Sequence, residues 1–299
     1  MSIKKLKTNI IFFLSIVFIA IPSPAKNLTI GTLGINPTKD IKKMSPLVKY
    51  LARHLRDEGI TDGKVITTSD AKTMAQYMKN GKVDIFFESV FPTLLVNFST
   101  GSKILLRRWK NGVSQYSSVI ISQKSIKDLN ELKGVKFVFD HPVSTTGYFI
   151  PKTMLLEKGY KLEEYKNNPG NNSPDVIKYI FSSSDENTFF WVLRGIAKAG
   201  AMDYPSYLRF SKNNPDTLNI LYKSRLIPRH LISFRKDLPQ SLLDKIIDLM
   251  THMHENKEGR GILKAYQNTA KIDILPDDCY RLVESYRKVI IKYYSDYIK

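Results

Sequence analysis

Three consecutive hydroxyl residues, Ser144, Thr145 and Thr146, stand between the hydrophobic run Val138-Phe139 and Gly147. Pro142 breaks the run before them, and a helical pattern follows. The first turn of a helix has unpaired N–H groups and a partial positive charge. Hydroxyl donors added to that turn make a seat for an oxyanion that needs no full countercharge. Gly147 lets a ligand or another backbone come close. The same residues also make an ordinary helix N-cap, and their types leave both readings open. Pro151 removes a donor early in the helix, so the helix is expected to be kinked or to start late.

Catalytic chemistry has little to work with. Cys279 is the one cysteine of the chain, so no intrachain disulfide can form, and it reads as a buried or inert thiol. His141 precedes Ser144 by three residues, which by itself is not a nucleophile–base arrangement. His252 and His254 are two residues apart on a helical segment and do not share a face, and there is no His-Glu-x-x-His pattern. No catalytic residue, metal site or cofactor is expected.

The elements that must position the hydroxyl turn follow a regular rhythm. Leu28 to Leu33 reads as a buried strand closed by Gly34 and Pro37. Met44, Leu47, Val48, Leu51 and Leu55 recur at helical spacing, and Gly59 ends that helix. Val65 to Thr68 is a second strand, and Ser69 or Asp70 can cap a helix reaching Asn80 and Gly81. Val83 to Phe87 is a third strand, and Glu88-Ser89 opens a helix carrying Phe91, Leu94, Leu95 and Phe98. This alternation predicts an α/β fold with a mostly parallel sheet wrapped by helices. Strands are expected at 104–107, 116–122, 135–139, 179–181 and 218–222, with a strand end at Gly200-Ala201-Met202. Ile126 to Leu132 reads as a short helix or turn, Thr188 to Arg194 as a helix, and Asn167 to Pro174 as a loop. Beyond Pro239 the pattern is helical to the end.

Lys4, Lys5 and Lys7 precede an apolar run from Ile10 to Ile21, and Ser23-Pro24-Ala25 supplies small residues after it. That order predicts a secretory signal peptide over 1–25, cleaved after Ala25; the run is short of the roughly 20 residues that span a bilayer. The formal net charge is +18, spread along the chain as lysine-rich faces. Such an excess favours anionic ligands and surfaces, or is simply solvated lysine. No nucleic-acid recognition motif accompanies it.

The segment Asp140-x-Pro-x-Ser-Thr-Thr-Gly-Tyr-x-x-Pro151 resembles the signature of the periplasmic phosphate/phosphonate-binding proteins of ABC transporters, whose core usually reads Ser-Thr-Ser-Gly. Gly81-Lys82-Val83-Asp84 resembles that family's Gly-x-Val-Asp before a strand. Leu129-x-x-Leu132-Lys133-Gly134-Val135-Lys136 resembles its segment upstream of the signature. Tyr116-Ser117-Ser118-Val119 and Lys223-Ser224-x-x-Ile227-Pro228 resemble its outgoing and returning crossovers. The likeness implies a type II periplasmic-binding fold: two α/β lobes joined by two crossover strands, with the ligand in the interlobe cleft and closure by a hinge. It implies lobe 1 at 26–117 and 230–299 and lobe 2 at 118–229, crossing near 116–121 and 228–234. It also implies a periplasmic monomer that captures a small oxyanion for an inner-membrane permease. A sensor that reports its ligand to a membrane receptor would share the fold and the pocket.

By the same resemblance, Ser144, Thr145, Thr146 and Gly147 hold the oxyanion, and Tyr116 and Ser89 line the cleft. The departures concern charge. Glu88 stands where relatives carry Gly-Pro; it accepts a bond from a protonated ligand oxygen, pairs with a ligand ammonium, or merely begins a helix. Asp185 falls where relatives have Gly-Ser-His, and either points inward or caps the next helix. Asp203 binds a ligand amine, orients a neighbour or caps the next turn. A position near Arg229 is acidic in amine-binding members and basic here. Arg107-Arg108-Trp109-Lys110 offers positive potential or a cation–π pair at the cleft rim, or is a solvated strand end.

Overall fold

The computed structural model describes residues 26–34, 36–165 and 173–298. The expected signal segment, and most of the expected loop from Asn167, lie outside them. In the first half, β1 (Lys26–Leu33), α1 (Pro37–His54), β2 (Ile60–Thr68), α2 (Ala71–Lys79), β3 (Ile85–Glu88), α3 (Val90–Thr100) and β4 (Lys103–Arg108) follow in turn. Asn36 caps α1 by accepting the Lys39 N–H, and Pro37 begins it. The expected stripe of Met44, Leu47, Val48, Leu51 and Leu55 is its buried face. Gly59 turns the chain at φ 78°, a left-handed conformation that suits glycine. Asp70 caps α2 by accepting the Thr73 N–H.

The chain then crosses through β5 (Gln115–Tyr116) into β6 (Ser118–Gln123), β7 (Lys136–Phe139), α4 (Ile150–Glu157), β8 (Lys161–Glu164), β9 (Val176–Phe181), α5 (Asp185–Leu193), β10 (Ala199–Asp203), α6 (Tyr204–Ser211) and β11 (Leu218–Lys223). It returns through β12 (Ile227–Pro228) to β13 (His230–Phe234), and finishes with α7 (Gln240–His252), α8 (Lys257–Ala265), β14 (Ile272–Ile274) and α9 (Asp277–Tyr293). β5 and β12 pair antiparallel with each other, Tyr116 opposite Ile227, and the flanking strands belong to separate sheets.

Each lobe is built on a six-stranded sheet, in the orders β14-β4-β13-β3-β1-β2 and β11-β6-β10-β7-β9-β8. The sheets are mixed, a departure from the mostly parallel expectation. β13, returning from the other sheet, inserts antiparallel between β3 and β4; β6, entering from the other side, lies antiparallel to both β10 and β11. A strand that arrives by crossing between lobes runs against strands that arrive by a helix. The all-helical ending is also corrected: β14 adds an antiparallel edge to β4, with Ile272 opposite Arg108. Hydrophobic cores lie on the sheet faces under the helices, and one of them continues between the lobes. There Phe91 of α3 stacks on Phe149 at 4.4 Å between ring centres, and Tyr294, just past α9, meets both rings at 5.2 Å. No helix among the described residues is long and apolar enough to cross a membrane.

Candidate ligand cleft

The hydroxyl turn is shaped by its own backbone bookkeeping. Ser144 has extended backbone, and its Oγ accepts the Gly147 N–H at 3.0 Å. Residues Thr145–Phe149 then form one wide turn of π type, and α4 starts at Ile150 with Pro151 in its first turn. The late start follows from proline. Pro151 has no N–H to give the Gly147 carbonyl, and that carbonyl accepts instead from the Asp140 N–H at 3.0 Å. Gly147 itself is buried against this contact: a Cβ there would lie 2.4 Å from the Asp140 Cβ. It makes room for Asp140, and it is not among the residues lining the cleft.

The three hydroxyls have distinct surroundings. Ser144 Oγ, besides its capping bond, faces the Asp140 carboxylate and lowers its pKa against the larger upward push of burial. Thr145 reaches across the cleft: its Oγ1 donates to Ser89 Oγ at 2.9 Å and accepts the Phe91 N–H at 2.9 Å. It thereby caps α3, whose own leading residue Ser89 makes no side-chain capping bond. Thr146 faces the Tyr116 hydroxyl, and its carbonyl accepts from Ser118 Oγ at 2.6 Å. All three line one cavity of about 1060 Å³ between the sheets, as do Glu88, Ser89, Tyr116, Asp185 and Asp203.

The charged candidates resolve differently from the options their types left open. Glu88 is on the cavity wall, where its carboxylate accepts the Ser89 N–H at 2.8 Å and the Thr32 hydroxyl at 3.3 Å. Burial raises its pKa more than these bonds and nearby Lys110 and His141 lower it. Ser184, not Asp185, caps α5, accepting the Asn187 N–H at 3.1 Å. Asp185 reaches over to the start of α6 instead, accepting from Asp203 N at 3.3 Å and Ser206 Oγ at 3.0 Å. Burial, then the Asp203 and Asp140 carboxylates, raise its pKa to about 8, so it is largely protonated at neutral pH. Asp203 caps α6 through the Ser206 N–H at 2.5 Å and pairs with Arg229 Nη1 at 2.9 Å. Its charge is thus already balanced, and it orients a neighbour.

Basic groups gather on or beneath the wall, as one reading of the 107–110 segment expected, and His230, which was not foreseen, joins them. The Arg229 guanidinium lies 4.2 Å over the Tyr116 ring. Lys110 and His230 line the cavity with it. Arg108 is 0% exposed, with Nη2 donating to Gln267 Oε1 at 2.7 Å and its guanidinium 4.1 Å over the Tyr266 ring. The sequence carried a signal for Arg108: alternation along β4 puts it on the same buried face as Ile104 and Leu106. Arg107 faces the other way and makes a two-bond pair with Asp273 of β14, at 3.1 and 2.8 Å. The basic segment is therefore no solvated strand end. Cys279 is buried and accepts from Gln115 Nε2 at 3.0 Å. Among the described residues no group of three or more His, Cys, Asp or Glu could hold a metal ion.

A family model described as the periplasmic substrate-binding protein of phosphonate ABC transporters matches residues 33–280. The phosphate-import protein PhnD of Mycolicibacterium smegmatis is 21% identical over 234 residues, 74% of this chain and 70% of its own. XAC2383 from Xanthomonas citri, solved bound to ATP, superposes with a TM-score of 0.82 at 18% identity, over 91% of this chain and 99% of its own. PhnD1 from Prochlorococcus marinus, solved in complex with methylphosphonate, gives a TM-score of 0.66 at 18% identity, over 89% and 98%. The structural likenesses show the fold.

Proposed function

Because the chain belongs to the periplasmic substrate-binding family of phosphonate ABC transporters, we propose that it captures a small tetrahedral oxyanion, namely phosphate, phosphite or a phosphonate, for uptake through an inner-membrane permease. The observation that carries this reading is the placement of Ser144, Thr146 and Tyr116 together on the wall of one cavity between the lobes. Hydroxyls and the backbone of the wide turn supply neutral donors, and Lys110 and Arg229 place cations on the opposite wall. The mycobacterial relative, a phosphate-import protein, handles the same class of ligand. The protein works as a monomer and, as a member of a substrate-binding family, holds its ligand without turning it over. By the resemblance, a position near Arg229 that is acidic in amine-binding members is basic here, so methylphosphonate is expected to bind better than aminoethylphosphonate.

Isothermal titration calorimetry with phosphate, phosphite, methylphosphonate, aminoethylphosphonate and sulfate tests the assignment. Each hydrogen bond to a charged group is worth about 1.5–3 kcal/mol. Ser144→Ala combined with Thr146→Val should therefore weaken binding at least tenfold while circular dichroism shows a folded chain. If no oxyanion binds the wild-type protein, the assignment is wrong.

A further inference from the structure

The opposite wall of the cavity carries an arrangement that a single small oxyanion on the hydroxyl turn does not use. The antiparallel register of β4 and β13 sets His230 directly opposite Arg108. Arg229 precedes His230, and Lys110 follows Arg108 by two residues, so three cations and an imidazole gather at one end of these strands. Lys110, Arg229 and His230 line the cavity, and Arg108 lies beneath Tyr266 and Gln267. Arg229 has Asp203. Among the described residues neither Arg108 nor Lys110 makes an ion pair, and the nearby Glu88 carboxylate is bonded to Thr32 and Ser89.

The donors of this wall are also under-used. Arg108 Nε and Nη1, Arg229 Nε and His230 Nδ1 are buried without a hydrogen-bond partner among the described residues. Burying a guanidinium with open donors is unfavourable even with the Glu88 carboxylate nearby, and the charge of an anion bound beside Lys110, Arg229 and His230 offsets it. Burial above all, then the charges of Arg108 and Arg229, bring Lys110 down to about 8 against the opposing pull of Glu88 and Asp203. Size points the same way. Pockets of roughly 300–1,000 Å³ bury drug-sized molecules, and this one, at about 1060 Å³, leaves most of its space empty around a lone phosphonate.

We propose that the wall formed by Lys110, Arg229 and His230 over Arg108 is a second anion subsite, and that the cleft takes a ligand with two anionic groups. One, a phosphonate or phosphate, occupies the Ser144–Thr146 turn; the other, a second phosphoryl, phosphonyl or carboxylate group, occupies the basic wall. The proposal rests on the oxyanion reading of the hydroxyl turn given above.

Calorimetry with methylphosphonate, phosphonoacetate and methylenediphosphonate tests it on the unmodified protein. The two-anion probes should bind at least about tenfold more tightly than methylphosphonate. In Lys110→Met or Lys110→Gln, each checked for folding by thermal unfolding, the ratio should shrink to about twofold or less. In the Ser144→Ala, Thr146→Val variant all three probes should weaken with the ratio kept. Equal affinities for one-anion and two-anion probes in the wild type overturn the second subsite while leaving the oxyanion reading standing. So does a ratio that both Lys110 variants preserve. If none of the three binds, the oxyanion reading and the subsite fall together.

Discussion

Asp203→Asn isolates the charge of the Arg229–Asp203 pair. Asparagine caps a helix about as well as aspartate, so the bond to Ser206 N–H survives and α6 keeps its start. What disappears is a negative charge 2.9 Å from Arg229, in a pair whose side chains are 7% and 9% exposed. Removing one partner of a buried ion pair leaves the other uncompensated and costs about 3–5 kcal/mol. Residues 26–298 unfold with an entropy of about 0.6 kcal/mol/K, at roughly 2.1 cal/mol/K per residue. The melting midpoint should therefore fall by about 5–9 °C, measured by circular dichroism in a buffer without phosphate or sulfate. Saturating methylenediphosphonate should raise the midpoint more in the variant than in the wild type, because a bound anion replaces the missing carboxylate. The pH dependence adds a check. Burial pushes Asp203 up, but Arg229 and the Ser206 N–H outweigh it and hold its pKa below the usual range. Its contribution is thus fully present above the unfolded value of about 3.9 and is lost as pH falls through the folded value, so the two proteins converge in acid. A midpoint shift under about 1 °C, with no added response to the anion, refutes the claim that Asp203 holds the charge of Arg229.

Asp185 should show the opposite pH sign. Its folded pKa of about 8 lies above the unfolded value, so its contribution to stability declines as pH rises from about 4 to 8 and then levels off. Asp185→Asn should gain stability relative to wild type across that window, and parallel urea midpoints at pH 5 and 8.5 would count against the assignment. Gly147→Ala places a Cβ 2.4 Å from that of Asp140; overpacking of this kind costs about 1–3 kcal/mol, and an unchanged urea midpoint would show that the turn has slack.

Local order was readable from the chain, and long-range pairing was not. Asn36 before Pro37 and Asp70 before α2 act through atoms three residues away, and the Ser144 turn with its late helix is set by Pro151 seven residues on. Asp185 was ambiguous for a different reason. Its partners, the Asp203 N–H and Ser206, come from the next strand and helix, and only the packing of α5 against α6 brings them together. The pairing of Arg108 with His230 spans more than a hundred positions and depends on β13 inserting between β3 and β4. β14 escaped notice because three residues, Ile272-Asp273-Ile274, are too few to show alternation inside a helix-rich tail. Arg107 and Arg108 read as one basic patch in sequence, yet a strand sends neighbouring side chains to opposite faces, and they serve different ends.

Thr145 Oγ1, which donates to Ser89 Oγ and accepts the Phe91 N–H, joins the two lobes through protein atoms alone. Contacts of this kind bias a hinged receptor toward the shut state. Such a bias enlarges the population competent to hold ligand and lowers the concentration at which the receptor fills. The stronger such a bias is, the more alike empty and loaded molecules become and the less closure alone tells the membrane partner. Sensitivity and contrast are set against each other by one threonine hydroxyl.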